Sequence, residues 1–345
     1  MRSGIADDGA LDARESLPWR PESCGARGVG VLARIGSMLG AATGKRGTTR
    51  DDALAPAAAK AHTHGVMDAV VWGARGSSPA SGPAYDRYGG ATCCVELRSA
   101  ASDAAHHAVV LDAGTGIVPL GRELASRGIR EIDLFLSHLH YDHVLGLPFF
   151  APAHDPEVEL RIHYGGADTA EGVREAIAGL FRQPFFPAGL DCFASRKSFH
   201  PMRDREALEL PGGMTATPRA LTHPGGATGL RIERDGGAFA YITDFEHDGG
   251  TGDEAVLALA RDADVALFDA TFTPDDYVPC RGWGHAHWRA ALELAERAGV
   301  RRPGLFHHMH DRTDERMDAI AAEAERMLPG AFAARAGQSL AITPR

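Results

Sequence analysis

Five cysteines are few for a chain of 345 residues, and two of them are adjacent as Cys93-Cys94, so no disulfide framework is available to staple the fold. Such sparing use of cysteine points to a reducing compartment, and the cytoplasm is the expected location. Basic charge is also in deficit: 36 Lys+Arg face 46 Asp+Glu, for a net charge of -10. Proteins that grip nucleic acid through general electrostatics need the opposite balance, because phosphates are neutralised by Lys and Arg. A small phosphate-bearing substrate is not excluded by it. No apolar run is long enough to span a bilayer, and the apolar stretch of the first 66 residues, 28–42, is broken by Arg34 and four glycines. No membrane association is therefore expected. The 41 glycines contain no phosphate-binding loop signature, and no internal repeat is evident.

What the chain has is length, apolar content and histidine. With 44% apolar residues it can bury a large core, but a chain beyond about 250–300 residues tends to split or carry appendages. The texture changes sharply at Met67. Residues 1–66 are rich in Ala, Gly, Arg and Asp without sustained periodicity, which reads as a disordered extension, and Met67 is itself a candidate translational start. Beyond it, strand-like segments are predicted at 68–72, 95–98, 108–112, 132–136, 158–163, 214–221, 230–234, 238–243, 265–269 and 304–307. Helical segments are predicted at 119–126, 170–181, 254–260, 285–298 and 314–327. Strand runs mixed with helices in both halves predict an α/β fold of αββα type, two sheets face to face with helices outside, rather than an uninterrupted βαβ array. The 17 histidines are the unusual count, since imidazole is the commonest metal ligand and general acid or base.

Three of them fall in Ser137-His138-Leu139-His140-Tyr141-Asp142-His143, an H-x-H-x-D-H cluster directly after the apolar strand 132–136. A rigid strand end can present all four side chains together. His138 and His140 can converge on one cation, while Asp142 and His143 reach a second nearby. The bland alternative is a solvated loop that happens to hold three histidines.

From about Met67 to the C-terminus the chain resembles the metallo-β-lactamase superfamily of binuclear metallohydrolases, in which H-x-H-x-D-H is among the most specific motifs. The resemblance implies one hydrolase domain over 67–345. Leu111-Asp-Ala-Gly-Thr-Gly116 resembles the first superfamily motif, whose aspartate, here Asp112, supports the metal loop from behind. His223, in Leu221-Thr-His-Pro-Gly225, resembles the third motif, and Asp244, closing Tyr241-Ile-Thr-Asp244, stands where the superfamily places a carboxylate between the ions. Taken singly, a histidine before Pro-Gly is more often a loop residue and a terminal aspartate more often a turn. His307 and His308 end Gly304-Leu-Phe-His-His308, which resembles the final ligand motif. Strand alternation lets one of the pair face the site, and the ribonuclease Z pattern selects His307 with His308 as the alternative. The implied site has His138, His140 and His223 on one ion, Asp142, His143 and His307 on the other, and Asp244 between. Two divalent ions are implied, zinc first, with manganese or iron as alternatives. Such a pair would hold a bridging water as hydroxide and polarise a substrate oxygen.

Two further segments narrow the branch. Leu267-Phe-Asp-Ala-Thr-Phe272 and Gly284-His285-Ala-His-Trp288 resemble ribonuclease Z segments in which a carboxylate and a histidine act together near the leaving group, which implies Asp269 and His285 here. Asp stands for the usual Glu, and Ala286-His287 for Ser-Thr. Asp142, Asp269 and His285 are the expected catalytic residues, with His285 protonating or orienting the departing oxygen; the structural alternative is that His285 caps the helix after it. Trp72-Gly-Ala-Arg-Gly-Ser77, Tyr88-Gly-Gly-Ala-Thr-Cys93 and Gly282-Trp-Gly-His285 are similar to a bacterial group of ribonuclease-Z-like hydrolases. Arg75 and Ser77 are read as anion contacts or a structural turn, and Phe149-Phe150 and Phe185-Phe186 as pocket walls or core. His106-His107 precede a strand, and His154, His163, His200 and His247 have no partners at ligand spacing.

The expected activity is a phosphodiesterase acting on a small-molecule or nucleotide-like anionic substrate. A lactone, thioester or carboxylic ester hydrolase is the alternative enzyme, and a non-catalytic metal-binding regulator the alternative of another class. tRNA is not expected, because no basic Gly/Pro-rich arm is present and residues 67–345 hold 27 Lys+Arg against 39 Asp+Glu. A homodimer is compatible with the sequence.

Overall fold

The computed structural model describes residues 66–99, 101 and 104–345. The expected disordered extension over 1–66, Val66 apart, lies outside the described residues. The first half of the fold gives β1 (Met67–Gly73), β2 (Cys94–Ser99), β3 (His107–Leu111), α1 (Ile117–Ser126), β4 (Glu131–Leu136), α2 (Tyr141–Val144), β5 (Glu159–Tyr164), α3 (Ala170–Ala178) and β6 (Arg196–Pro201). Then come β7 (Leu208–Leu210), β8 (Met214–Leu221), β9 (Ala227–Arg234), β10 (Gly237–Ile242), α4 (Thr251–Ala260), β11 (Val265–Asp269) and α5 (Pro274–Tyr277). The chain ends with α6 (Trp288–Arg297), β12 (Arg302–Phe306), α7 (Asp314–Met327), β13 (Phe332–Ala333) and β14 (Ser339–Ile342). Two seven-stranded sheets result, ordered β14-β1-β2-β3-β4-β5-β6 and β13-β12-β11-β10-β9-β8-β7.

Side-chain alternation makes these sheets two-faced. In β8, Met214, Ala216 and Pro218 are buried while Thr215 and Thr217 are half-exposed. Val109, Leu111 and Phe135 of the first sheet meet Ala216, Ile232, Phe239 and Leu267 of the second in a shared apolar layer. The first sheet's other face packs Val110, Leu134 and Leu136 against Leu120 and Leu124 of α1 and Val173 and Ile177 of α3. Beneath the second sheet, Ala240, Ile242 and Phe268 pack on Val256 and Leu259 of α4 and Ala291 and Leu294 of α6. The architecture is the expected αββα sandwich.

Strand direction then gathers the chemistry. β10, β11 and β12 are parallel, and β8 shares their direction through two antiparallel steps across β9. Their C-terminal ends therefore open on one rim, which is where His223, Asp244, Asp269 and His307 stand.

The structure departs from the sequence reading at several elements. β6, β7, β13 and β14 were not anticipated. The helix expected over 170–181 ends at Ala178, and the one expected over 285–298 begins at Trp288. Residues before α6 stay extended because His287 bridges to Phe272. His287 also caps α6, its Nδ1 accepting from the Ala290 N–H at 3.1 Å, so the capping alternative for His285 does not hold. His163, expected to have no partner at ligand spacing, and His107 each set Nε2 2.7 Å from the buried Asp133 carboxylate, which Arg161 also contacts at 2.9 Å. Burial opposes ionisation there, yet these three partners hold Asp133 well below the usual carboxylate range. No described helix is long and apolar enough to cross a membrane.

Candidate metal centre

The chain leaves β4 at Leu136 and turns through Ser137 into the one-turn helix α2, with extended His140 as its first flanking residue. This turn buries Asp142 and His143 and leaves His140 exposed. It is pinned from below by Asp112, fully buried directly after β3, whose carboxylate accepts from Ser137 N at 2.7 Å, Ser137 Oγ at 2.9 Å and Tyr241 OH at 2.8 Å, and contacts His143 Nδ1 at 2.8 Å. The buried Asp112 carboxylate is thus fully hydrogen-bonded and holds the start of the loop and the His143 ring in place.

All seven residues read from the sequence as ligands come together. His138, His140 and His223 form one group, with His223 Nε2 3.2 Å from His140 Nδ1. Asp142, His143 and His307 form a second together with the buried Cys93 thiol, with His307 Nε2 3.0 Å from Asp142 Oδ2 and 3.4 Å from His143 Nε2. Asp244 lies between them. Its Oδ1 is 3.7 Å from His138 Nε2 and 3.8 Å from His223 Nε2, whereas its Oδ2 is 3.2 Å from His143 Nε2 and 3.4 Å from His307 Nε2. Asp112, Asp244 and His307 all adopt left-handed φ, at 61°, 57° and 56°. Such backbone costs about 1–3 kcal/mol per residue and persists where the surroundings impose it, commonly at functional sites.

The outward ring nitrogens are tied, leaving the inward ones for an ion. His143 Nδ1 contacts Asp112, His223 Nδ1 contacts the Gly284 carbonyl at 2.7 Å, and His307 Nδ1 contacts Thr271 Oγ1 at 2.8 Å. His138 Nε2 is buried with no hydrogen-bond partner and faces the group. Imidazoles tethered at the outer nitrogen, with the inner one turned toward the other donors of the group, are what a divalent ion with N and O ligands requires, so the donor set fits. The backbone packs closely behind one of them: a Cβ on Gly76 would sit 2.2 Å from the His307 ring.

Electrostatics divides the two groups. Burial pushes His138, His140 and His223 below the ordinary histidine value, which keeps them neutral. Burial acts the same way on His143, but the carboxylates of Asp244, Asp112 and Asp142 outweigh it and raise His143 well above. Asp142 and Asp244 are held below the usual carboxylate range despite their burial, by His143 and His307. His285 contacts Asp269 through Nδ1 at 2.7 Å; burial alone would lower it, and the Asp269 carboxylate lifts it to about 9. Asp269 also accepts from Thr271 Oγ1 at 2.7 Å, so one carboxylate orients both His285 and, through Thr271, His307.

His140, Asp142, Asp244 and His285 line an open pocket of about 440 Å³, with Leu139 and Leu180 as apolar walls and no Lys or Arg among its described lining residues. Of the auxiliary candidates, Ser77 reaches it: its backbone N–H donates to Asp142 Oδ2 at 2.7 Å. Arg75 does not act as an anion contact. It is fully buried, and its guanidinium donates to the Gly89 carbonyl at 2.8 Å and the Arg312 carbonyl at 2.7 Å. His308 turns away to the Ala334 carbonyl at 2.7 Å, and burial drives it down to about 3. Phe150 belongs to the core, while Phe185 is exposed. Thr271, the Gly284 carbonyl and Ser77 N–H were not singled out as anchors; Thr271 was visible as the residue two beyond Asp269, whereas backbone donors and acceptors carry no sequence signal.

Comparisons with known proteins agree with this geometry. The family profile described as beta-lactamase superfamily domain matches residues 107–308. An uncharacterised protein of Mycobacterium tuberculosis is 32% identical over 204 residues, covering 58% of this chain and 69% of the relative. A ribonuclease Z of Halorubrum lacusprofundi is 26% identical over 225 residues, covering 50% of this chain and 68% of that protein. Among solved structures, a metallo-beta-lactamase fold protein from Bacillus subtilis superposes with a TM-score of 0.59 at 20% identity, over 79% of this chain and 98% of its own. With its motifs, its sandwich and its His/Asp cluster able to hold metal, the chain belongs to the metallo-β-lactamase superfamily, on the ribonuclease Z-like branch.

Proposed function

We propose that the protein is a binuclear metal-dependent phosphodiesterase acting on a small or nucleotide-like phosphodiester. The observation that carries this reading is Asp244, which turns one carboxylate oxygen toward each ligand group. His138, His140 and His223 would hold one ion, Asp142, His143 and His307 the other, with zinc best matched to these donors and manganese or iron next. Bound there, the ions supply Lewis acidity toward a substrate oxygen and a water nucleophile at neutral pH.

The chain's own residues do the rest. Ser77 N–H and the His307 ring fix the Asp142 carboxylate, so the second group keeps its shape when substrate enters. His285 lines the same pocket, and with Nδ1 committed to Asp269, whose carboxylate lifts its pKa to about 9 in the metal-free protein, the proton it carries there beyond Nδ1 is on Nε2. That proton is placed to pass to a departing alkoxide or phenoxide oxygen, the assistance a phosphodiester with a poor leaving group needs. The absence of Lys and Arg from the described lining favours a substrate of low charge over a polyanion such as tRNA.

Turnover of an aryl phosphodiester by zinc- or manganese-loaded protein, with Asp142→Ala as control, tests the reading. Metal-loaded protein that leaves phosphodiesters intact while cleaving lactones or thioesters would replace it with the ester-hydrolase alternative, and metal-loaded protein inert toward the whole panel would favour a regulator.

A further inference from the structure

Glu246 stands two residues beyond Asp244, outside every motif, half-buried against the loop that precedes His285. Its side chain is fully used. Oε1 accepts from Gly282 N at 2.7 Å and Tyr277 OH at 3.0 Å, and Oε2 accepts from Gly284 N at 2.9 Å. Its own N–H donates to the Thr222 carbonyl at 2.8 Å, one residue before His223. The loop it holds is built for that grip. Gly282 and Gly284 both take φ of 86°, so their N–H groups turn toward one acceptor, and a Cβ on Gly284 would lie 2.2 Å from Pro224 Cδ and 2.3 Å from His223 Nδ1. Gly284 returns its carbonyl to His223 Nδ1 at 2.7 Å. One carboxylate therefore joins the stretches that carry His223, Asp244 and His285.

We propose that Glu246 is a positioning residue that sets the His223 imidazole and the His285 ring by clamping the loop of residues 282–284. The inference rests on the proposed metal assignment only in its second readout. A charged acceptor of the Gly282 and Gly284 N–H groups fixes the peptide unit that enters Gly284; the Gly284 backbone, packed on His223 and Pro224, then carries its carbonyl in the next unit to His223 Nδ1, which fixes the nitrogen of His223 that keeps its proton. His143 and His307 are anchored by Asp112 and Thr271 instead, so the clamp acts on one ligand group and leaves the other alone.

The test compares the full chain with Glu246→Ala and Glu246→Gln. In metal-free protein, proton–nitrogen NMR of labelled histidine should show a slowly exchanging His223 Nδ1 proton that is lost in Glu246→Ala and weakened in Glu246→Gln, which keeps one acceptor. The His143 proton facing Asp112 should not change. In zinc competition against a chromophoric chelator, Glu246→Ala should weaken the His138/His140/His223 group by about 10–100-fold and leave the other group unchanged. An unaltered His223 signal, or equal weakening of both groups in step with a lower melting temperature, overturns the proposal. Absent phosphodiester turnover by the wild-type protein sinks the proposed function while the His223 signal still decides the clamp.

Discussion

The two proposed ligand groups differ in how the protein surrounds them. His138, His140 and His223 are neutral imidazoles beside the pocket, with His140 exposed and anchoring that comes from a loop carbonyl. Asp142, His143 and His307 are buried, tied to Asp112 and Thr271, and surrounded by enough carboxylate that His143 holds a proton in the absence of metal. In the buried group a proton on imidazole stands where a cation's charge is wanted; the open group has no such substitute. One H-x-H-x-D-H segment thus contributes to two groups of different exposure: His140, just ahead of α2, is exposed, whereas Asp142 and His143, inside that turn, are buried.

The sharpest way to break the comparison is to remove a ligand from the buried side. Asp142→Ala takes away the carboxylate that His307 and Ser77 share, and activity should fall well beyond the about 10–100-fold typical of an outer partner, with one ion fewer per chain. Steady-state kinetics with metal analysis checks both. Next comes His285→Gln, which removes the proposed proton donor but none of the proposed ligands. About 100-fold or more should be lost on diesters with alkyl leaving groups and far less on 4-nitrophenyl diesters, read from the dependence of kcat on leaving-group pKa. An equal loss on both would deny His285 the proton-transfer role.

A smaller effect is expected from Asp112→Asn, which keeps the size but not the charge facing His143 and Ser137. Metal affinity of the buried group should drop by about 10–100-fold, and that of the open group, which Asp112 reaches only through Ser137 and His138, by less. The last prediction concerns pH. His143 lies above its ordinary value and must lose a proton to bind an ion, so buried-group affinity should climb about tenfold per pH unit around neutrality. His138, His140 and His223 lie below theirs, are already neutral there, and should give the open group a nearly flat profile. Zinc titrations at several pH values, with proton release followed in buffers of different ionisation enthalpy, separate the two.

Most of this arrangement was legible from residues that do something unusual for their setting. The apolar run ending at Leu136 followed by three histidines announced both β4 and its cargo, and Asp244 and His307 each follow a strand whose every residue but the first of β12 is buried. Strand alternation left His307 and His308 undecided, because that argument assumes regular β geometry and His307 has left it, at φ 56°. The strands that escaped notice are edge or short ones. β6 reads Arg-Lys-Ser-Phe-His-Pro with no fully buried residue, and its place beside β5 is fixed by pairing, which the pattern does not encode. β14 has four residues and closes the first sheet against β1, the opposite end of the folded chain. Glu246 was invisible for a similar reason: its partners are backbone N–H groups of two glycines thirty-six and thirty-eight residues away.

The account stands on two ions held in two groups with Asp244 between them. Anomalous diffraction at the zinc edge from crystals of the zinc-loaded protein tests that directly. Two peaks are expected, one among His138, His140 and His223 and the other among Asp142, His143 and His307, each beside one oxygen of Asp244. A single peak at full zinc loading, or two with Asp244 turned away, would contradict it.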